Sequence, residues 1–377
     1  MKILAEDMHA LMAACFNGAL ALKLTSAPGE GKSKMAEAFA ALMNKRYADD
    51  GGYGCFVFDL SSGNFNDFMG YLMPKEVTDV DVNGQSQEVL AAKYTYPHWA
   101  YDLWSGKPAY QYKRGCIILE EWGQGELEVK KACSPLINDG RVGLWRFPKR
   151  NGNEGFDIII LSNRPEDRAG VTLEFDHLIN RWCEAELVAT LKGFLVAGAA
   201  LGMTPLTLAF AARNEERLFR GKVPEKQGPW MTQRSLHKFD NVIRANPHLD
   251  ITDPLMDVIG CGTIGKGDHD VYKAFANARS KIPTVSAITS DPANTPVPTE
   301  LDVLMFLVFD LASKTTRANI GPISTYVKRL SSGMQVTYFE ACTRRDETLV
   351  STQEFSEFAV NNITLLSVVA ARNQRVA

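Results

Sequence analysis

The chain has 377 residues, 45% of them hydrophobic, and a formal net charge of −3 at pH 7. This length and composition predict a globular protein of two or three packed units. The near-neutral charge excludes a general attraction to nucleic acid or to an anionic membrane surface, although local basic clusters remain possible.

Residues 1–16 predict an amphipathic helix without the basic start and small-residue cleavage site of a signal peptide. The apolar run at 191–201 contains Lys192 and is too short to cross a bilayer. The seven cysteines are scattered, odd in number and form no CxxC pair, which is typical of reduced thiols. We therefore expect a cytoplasmic protein with no membrane segment.

Five apolar runs in the first half predict strands, with helical patterns between them. The first four are apolar nearly throughout, as expected for parallel strands covered on both faces. The fifth alternates with Glu184 and Glu186, which predicts an edge strand with one wet face. The predicted strands are 19–25, 55–60, 116–120, 157–162 and 183–188, and the clearest helices are 34–46 and 125–138. This order predicts an α/β domain with a parallel sheet.

The segment Ser-Ala-Pro-Gly-Glu-Gly-Lys-Ser at 26–33 joins the first predicted strand to the first long helix. This setting predicts a phosphate-binding P-loop, whereas a flexible turn is the ordinary alternative. Gly29 and Gly31 let backbone N–H groups converge on phosphate oxygens. Lys32 would reach the β- and γ-phosphates, and Ser33 would bind Mg²⁺. The predicted nucleotide-binding residues are Ala27, Pro28, Gly29, Glu30, Gly31, Lys32, Ser33 and Lys34.

An insertion follows the second predicted strand, near residues 77–112. Asn83-Gly84 between short alternating segments predicts a β-hairpin. A dense run of aromatic residues comes next: Tyr94, Tyr96, Trp99, Tyr101, Trp104, Tyr110 and Tyr112. Such a cluster could grip a polypeptide or stack on bases, but packing against its own domain is the more common arrangement.

Two acids, Glu120 and Glu121, directly follow the third predicted strand. A buried strand would deliver them to the carboxyl edge of the sheet beside the P-loop. There Glu120 would hold Mg²⁺ through its water shell, and Glu121 would deprotonate the attacking water. Asn163 ends the next strand, and its amide could position that water and contact the γ-phosphate. A solvated strand end and an ordinary turn residue are the alternatives.

From residue 190 onward the pattern is helical and is broken by several prolines. Residues 291–298 form the clearest linker. These features predict a nucleotide-binding domain at 1–190, a helical lid at 191–290 and a helical extension at 291–377. Gly260, Gly262 and Gly265 have the spacing of a dinucleotide-binding motif, but the flanking sequence does not predict a βαβ unit. We therefore predict a turn between lid helices there.

Together these motifs resemble the AAA+ ATPase family, and in detail its MoxR-like branch, which includes bacterial and phage-encoded members. The resemblance covers residues 5–245 by motif and implies a P-loop NTPase (AAA+) fold. It also implies that Asn163 is the sensor-1 residue and that Arg181, in Leu-Ile-Asn-Arg-Trp at 178–182, is the arginine finger, with Arg168 as a second candidate. Arg234 matches the start of the sensor-2 helix.

The chain departs from the family pattern at three positions. Ser26 replaces a glycine at the start of the P-loop motif, and Gln233 stands where the sensor-2 segment usually has proline. Glu120 replaces the usual aspartate. The extra methylene moves that carboxylate farther from the strand, which bears more on the rate of hydrolysis than on nucleotide binding.

The resemblance implies Mg²⁺-dependent ATP hydrolysis that drives remodelling of an unidentified partner protein, within a homo-oligomer that is a hexameric ring. It also implies that the hairpin around 80–89 faces the ring pore. Two alternatives stay open. A DNA-directed motor or loader would show strong, steeply salt-dependent stimulation by DNA. A P-loop phosphotransferase would act as a monomer and pass the phosphoryl group to a small molecule.

Overall fold

A six-stranded parallel sheet organises the first of two compact units, Met1–Val188. The computed structural model describes residues 1–80, 82–167 and 176–361. The sheet strands are β1 (Lys2–Leu4), β2 (Ala21–Ser26), β3 (Gly54–Asp59), β6 (Arg114–Glu120), β9 (Gly155–Asn163) and β10 (Trp182–Val188). Their spatial order is β1-β10-β2-β9-β6-β3. The strand β9 therefore lies between the strand that enters the P-loop and the strand that ends in the two acids.

The prediction that the fifth apolar run forms an edge strand is wrong. β10 pairs with β2 on one side and with β1 on the other, so that Lys2 lies opposite Glu186. β1 falls inside the segment predicted as helix, and the helix itself, α1, spans only Met8–Asn17. Three residues are too few for the alternation of a strand to be visible in a sequence.

The central strands are apolar nearly throughout because both faces of the sheet are covered. In β6, Ile117 and Leu119 join one buried cluster, while Cys116 and Ile118 join the cluster on the opposite face. The side chains of β9 are distributed between the two clusters in the same alternating way. Burying each such side chain contributes about 1.5–3 kcal/mol, so the two clusters hold the strand ends in fixed positions.

The helices of this unit are α1, α2 (Lys32–Arg46), α3 (Phe65–Met69), α4 (Leu127–Asp139) and α5 (Asp176–Ile179). Between α3 and β6 lies the predicted hairpin, formed by β4 (Leu72–Val80) and β5 (Ser86–Tyr94). Its strands are longer than predicted and mostly exposed. A second, short hairpin follows α4 and consists of β7 (Arg141–Val142) and β8 (Trp145–Arg146).

The aromatic run after the hairpin is divided between core and surface. Trp99 is buried, and its indole Nε1 donates to the carbonyl of Phe68 at 2.9 Å. Tyr96 packs edge-on against Trp145, which joins the bases of the two hairpins. Tyr110 is 71% exposed. Packing against its own domain, as predicted, therefore accounts for part of the cluster and leaves exposed rings beside it.

In the second compact unit, Ala189–Ala377, the described residues form helices joined by turns and loops, with no strand among them. Its helices are α6 (Leu191–Ala200), α7 (Pro205–Arg213), α8 (Glu215–Leu218), α9 (Gln233–Ala245), α10 (Pro254–Ile264), α11 (Lys266–Ala276), α12 (Val285–Ser290), α13 (Leu301–Lys314), α14 (Ile320–Val327), α15 (Ser332–Arg345) and α16 (Gln353–Asn361). Phe306 and Phe309 of α13 share a hydrophobic cluster with Phe210 of α7. The separation of lid from extension at residue 291 stays a prediction.

The glycines at 260, 262 and 265, which we did not interpret as a nucleotide site, belong to a helix and the turn that follows it. Gly260 and Gly262 lie inside α10, and only Gly265 lies in the turn to α11, so the predicted turn is shorter than expected. A Cβ at Gly260 would come within 2.0 Å of Nδ1 of His269. Within the described ranges, no helix combines the length and apolar character that crossing a membrane requires.

Candidate nucleotide-binding site

The P-loop connects the end of β2 at Ser26 to the start of α2 at Lys32. Gly29 and Gly31 adopt φ values of 84° and 90°, in the left-handed region that other residues rarely occupy. A Cβ at Gly31 would meet no atom within 4 Å, so backbone conformation and not space requires glycine there. The loop thus enters the amino end of α2, where the helix dipole favours an anion.

The Lys32 ammonium is folded over the carboxyl end of β2. It donates to Ser26 Oγ at 3.0 Å and to the Ser26 carbonyl at 3.3 Å. It also donates to Oδ1 of Asn163 at 2.9 Å. Lys34 was predicted to bind nucleotide as well, but its ammonium lies 2.6 Å from Glu37 on the exposed surface of α2.

Asn163 links the P-loop lysine to the second acid. The pairing of β2 with β9 places Asn163 opposite Ser26. While its Oδ1 accepts from Lys32, its Nδ2 donates to Oε2 of Glu121 at 2.9 Å. The structure therefore joins three predicted residues, 32, 163 and 121, in one hydrogen-bonded chain at the edge of the sheet.

The chain has the α/β P-loop NTPase fold. This conclusion depends on the P-loop between β2 and α2 and on the neighbouring parallel strands that bring Asn163 and Glu121 to it. The fold prediction is confirmed.

Glu121 has a left-handed backbone, with φ 48° and ψ 40°, which is uncommon outside glycine. A conformation of this kind costs on the order of 1–3 kcal/mol and persists only where surrounding contacts hold it. Strained backbone of this kind is found most often at functional sites, where it directs a side chain. Here the carboxylate of Glu121 meets the Asn163 amide.

Ser33 and Glu120 form the second pair of site residues. Burial raises the pKa of the Glu120 carboxyl, whereas a hydrogen bond from the Ser33 hydroxyl acts to lower it. The negative charges of Asp59, Glu37 and Glu121 raise that pKa further. Hydroxyl and carboxylate oxygens are the ligands that Mg²⁺ prefers. The donor set therefore fits Mg²⁺.

Asp59 is a site residue that the sequence analysis missed. It ends β3 and lies opposite Glu120 in the pairing of β3 with β6. Its Oδ1 accepts from the backbone N–H of Ser61 at 2.8 Å and from the Ser61 hydroxyl at 2.7 Å. The signal was present, since Asp59 is an acid at the end of an apolar strand, like Glu120.

Glu30 places a carboxyl inside the phosphate-binding loop. Burial raises the pKa of Glu30, and the positive charges of Arg164 and Lys32 act in the opposite direction. Because the pKa in the folded protein is raised, the carboxyl takes up a proton at a higher pH than free glutamate does. Its repulsion of bound phosphate then decreases as the pH falls.

We expect Glu30→Gln to tighten nucleotide binding at pH 8 by about fivefold, on the order of 1 kcal/mol. We also expect the substitution to weaken the pH dependence of binding between pH 8 and pH 5. Titration of a fluorescent ATP analogue into both proteins at each pH measures their difference in affinity. The ionisation of the phosphate affects both proteins equally and therefore cancels in this difference. Parallel pH curves for the two proteins would contradict the prediction.

The predicted arginines lie at different places. Arg181, just before β10, donates through Nη1 to the Ser134 hydroxyl of α4 at 2.5 Å. Arg234 is exposed in the first turn of α9, in the second unit. Arg168 lies outside the described residues. The assignments of these three residues stay predictions.

Comparison of the chain with protein-family models and with curated proteins gave no match. Among solved structures, a mutant of RuvB from Thermotoga maritima is 14% identical, with 84% of this chain and 82% of that chain covered and a TM-score of 0.37. NtrX from Brucella abortus in complex with ADP is 11% identical, with 96% and 68% covered and a TM-score of 0.37. NtrX in complex with ATP gives 10%, with 96% and 68% covered and a TM-score of 0.31. Such distant similarity decides neither fold nor function, so both depend on the residues described above.

Proposed function

We propose that this protein is a Mg²⁺-dependent ATPase of the AAA+ type, in its MoxR-like branch. The hydrogen-bonded chain from Lys32 through Asn163 to Glu121 carries the proposal. It joins the group that binds phosphate to a carboxylate that can accept a proton. A simple phosphate-binding protein has no need of such a carboxylate beside its lysine.

The residues divide the work of hydrolysis as follows. Lys32 exchanges its contacts with Ser26 and Asn163 for the β- and γ-phosphate oxygens of ATP. Ser33 and Glu120 would hold Mg²⁺, which would neutralise charge on the phosphates. Asn163 orients a water molecule, and Glu121 accepts its proton as the water oxygen bonds to the γ-phosphorus and ADP leaves.

We further propose that hydrolysis remodels a partner protein and that the chain works as a homo-oligomeric, hexameric ring in the cytoplasm. The resemblance to the MoxR-like branch supports this, together with the exposed hairpin of β4 and β5. Val80 and Leu90 of this hairpin are 59% and 73% exposed. Apolar side chains on a projecting ribbon suit contact with a client polypeptide.

The direct test is binding and hydrolysis of ATP with and without Mg²⁺. We expect Lys32→Ala to weaken ATP binding by roughly 10–100-fold, because charge-assisted hydrogen bonds contribute about 1.5–3 kcal/mol. Isothermal titration calorimetry measures the affinity, with Lys45→Ala as the control, since Lys45 is an exposed lysine in the last turn of α2. If the wild type and Lys32→Ala bind ATP with equal affinity, the proposed function is wrong. Measuring native mass with and without ATP tests the ring.

A further inference from the structure

Arg164 follows Asn163 directly at the end of β9 and makes an unusually complete set of ionic contacts. Its Nε and Nη2 donate to the two carboxylate oxygens of Asp167 at 2.9 and 2.8 Å. Its Nη1 donates to Glu186 of β10 at 3.2 Å. A forked contact of this kind fixes geometry as well as charge, and a lysine cannot reproduce it.

These contacts cross the strand that enters the P-loop. β2 lies between β9 and β10, so a guanidinium that starts on β9 and reaches Glu186 passes over the end of β2 near Ser26. Burial raises the pKa of Glu30, and the positive charge of Arg164 acts against that rise, which places Arg164 beside the P-loop. Arg164 thus links the ends of β9 and β10 across β2, at the edge of the sheet where the site lies.

We infer that Arg164 is a positioning residue for the ATPase reaction, which it serves by holding the end of β9 so that the Asn163 amide meets Glu121. The inference rests on the proposed function. The side chain of Asp167 is 2% exposed, and a buried carboxylate without its partner is strongly destabilising. Losing the guanidinium therefore forces residues 164–167 to rearrange. Asn163 is one peptide bond away, and its amide must stay aligned with two partners at 2.9 Å.

The experiment is a double-mutant cycle in the full chain. We expect Arg164→Met to lower kcat for ATP about tenfold, with KM within about twofold, since orientation of the water and not phosphate binding is affected. In an Asn163→Ala background, adding Arg164→Met should change kcat by less than about twofold, because its effect acts through Asn163. Arg164→Lys should lower kcat as much as Arg164→Met does. Lysine keeps the positive charge but cannot make the two-bond contact with the Asp167 carboxylate.

A matched control lies at the other end of the same strand. Arg150 donates to Asp157 of β9 at 2.7 Å, and both side chains are buried. Arg150→Met removes a comparable ion pair far from the site, so it should lower Tm without changing kcat. Equal losses of kcat in the two methionine variants, or an Arg164→Met effect that persists without Asn163, would overturn the inference. Absence of ATPase activity in the wild type would overturn the proposed function as well.

If Arg164→Met does not fold, Asp167→Asn provides the same test. It keeps the shape of the side chain and the guanidinium but removes the negative charge that holds Arg164. A loss of kcat that vanishes in the Asn163→Ala background supports the inference. An unchanged kcat in folded Asp167→Asn counts against it.

Discussion

Replacing Glu121 with glutamine should lower kcat for ATP hydrolysis by roughly 10²–10⁴-fold while nucleotide affinity stays within about threefold. The amide of glutamine has nearly the shape of the carboxylate and can still accept from Nδ2 of Asn163, as Oε2 of Glu121 does at 2.9 Å. It cannot accept a proton from water at neutral pH. The substitution therefore separates proton transfer from binding.

Single-turnover hydrolysis and calorimetry on the same protein measure both quantities. Glu126→Gln is the matched control, because Glu126 is an exposed acid five residues farther on, at the start of α4. We expect its kcat to equal that of the wild type. If Glu121→Gln keeps more than about half of the activity, another group must take the proton and the role of Glu121 is wrong.

The sequence predicted the parts of the site that follow one local rule. Glu120 and Asn163 each end an apolar strand, and the P-loop follows a third. Because parallel strands end at one edge, such residues lie along the same edge of the sheet whatever the order of the strands. Asp59 obeys the same rule and could have been found by applying it to every predicted strand.

Other features depend on information that no local pattern contains. β1 has only three residues, and its partner β10 is far away in the chain, so neither pairing nor edge position could be read from the sequence. The contact of Arg164 with Glu186 crosses a third strand and depends on the spatial order of the sheet. An arginine after a strand usually has an ordinary surface role, so its identity alone gives no signal.

Replacing Arg181 with alanine is the second substitution for which we expect a large loss of kcat. It tests whether the active site is shared between subunits. In its own chain Arg181 donates to the hydroxyl and the carbonyl of Ser134 on α4, at 2.5 and 3.4 Å. An arginine that completes a neighbour's site stabilises charge on the transferred phosphoryl group and contributes roughly 10³–10⁵-fold to kcat. We therefore expect Arg181→Ala to lower kcat by at least about 10³-fold with ATP binding retained. Arg141→Ala, an exposed arginine after α4, is the control and should have no effect.

Mixing the two inactive proteins distinguishes action between subunits from action within one. An Arg181→Ala subunit keeps Glu121, and a Glu121→Gln subunit keeps Arg181, so one kind of interface in a mixed ring regains both groups. Random equal mixing should restore activity at roughly a quarter of the interfaces, since each position is filled independently. A mixture as inactive as its components would show that Arg181 acts within its own chain or outside the reaction. Recovery would instead require an oligomer, because a monomer cannot complement itself.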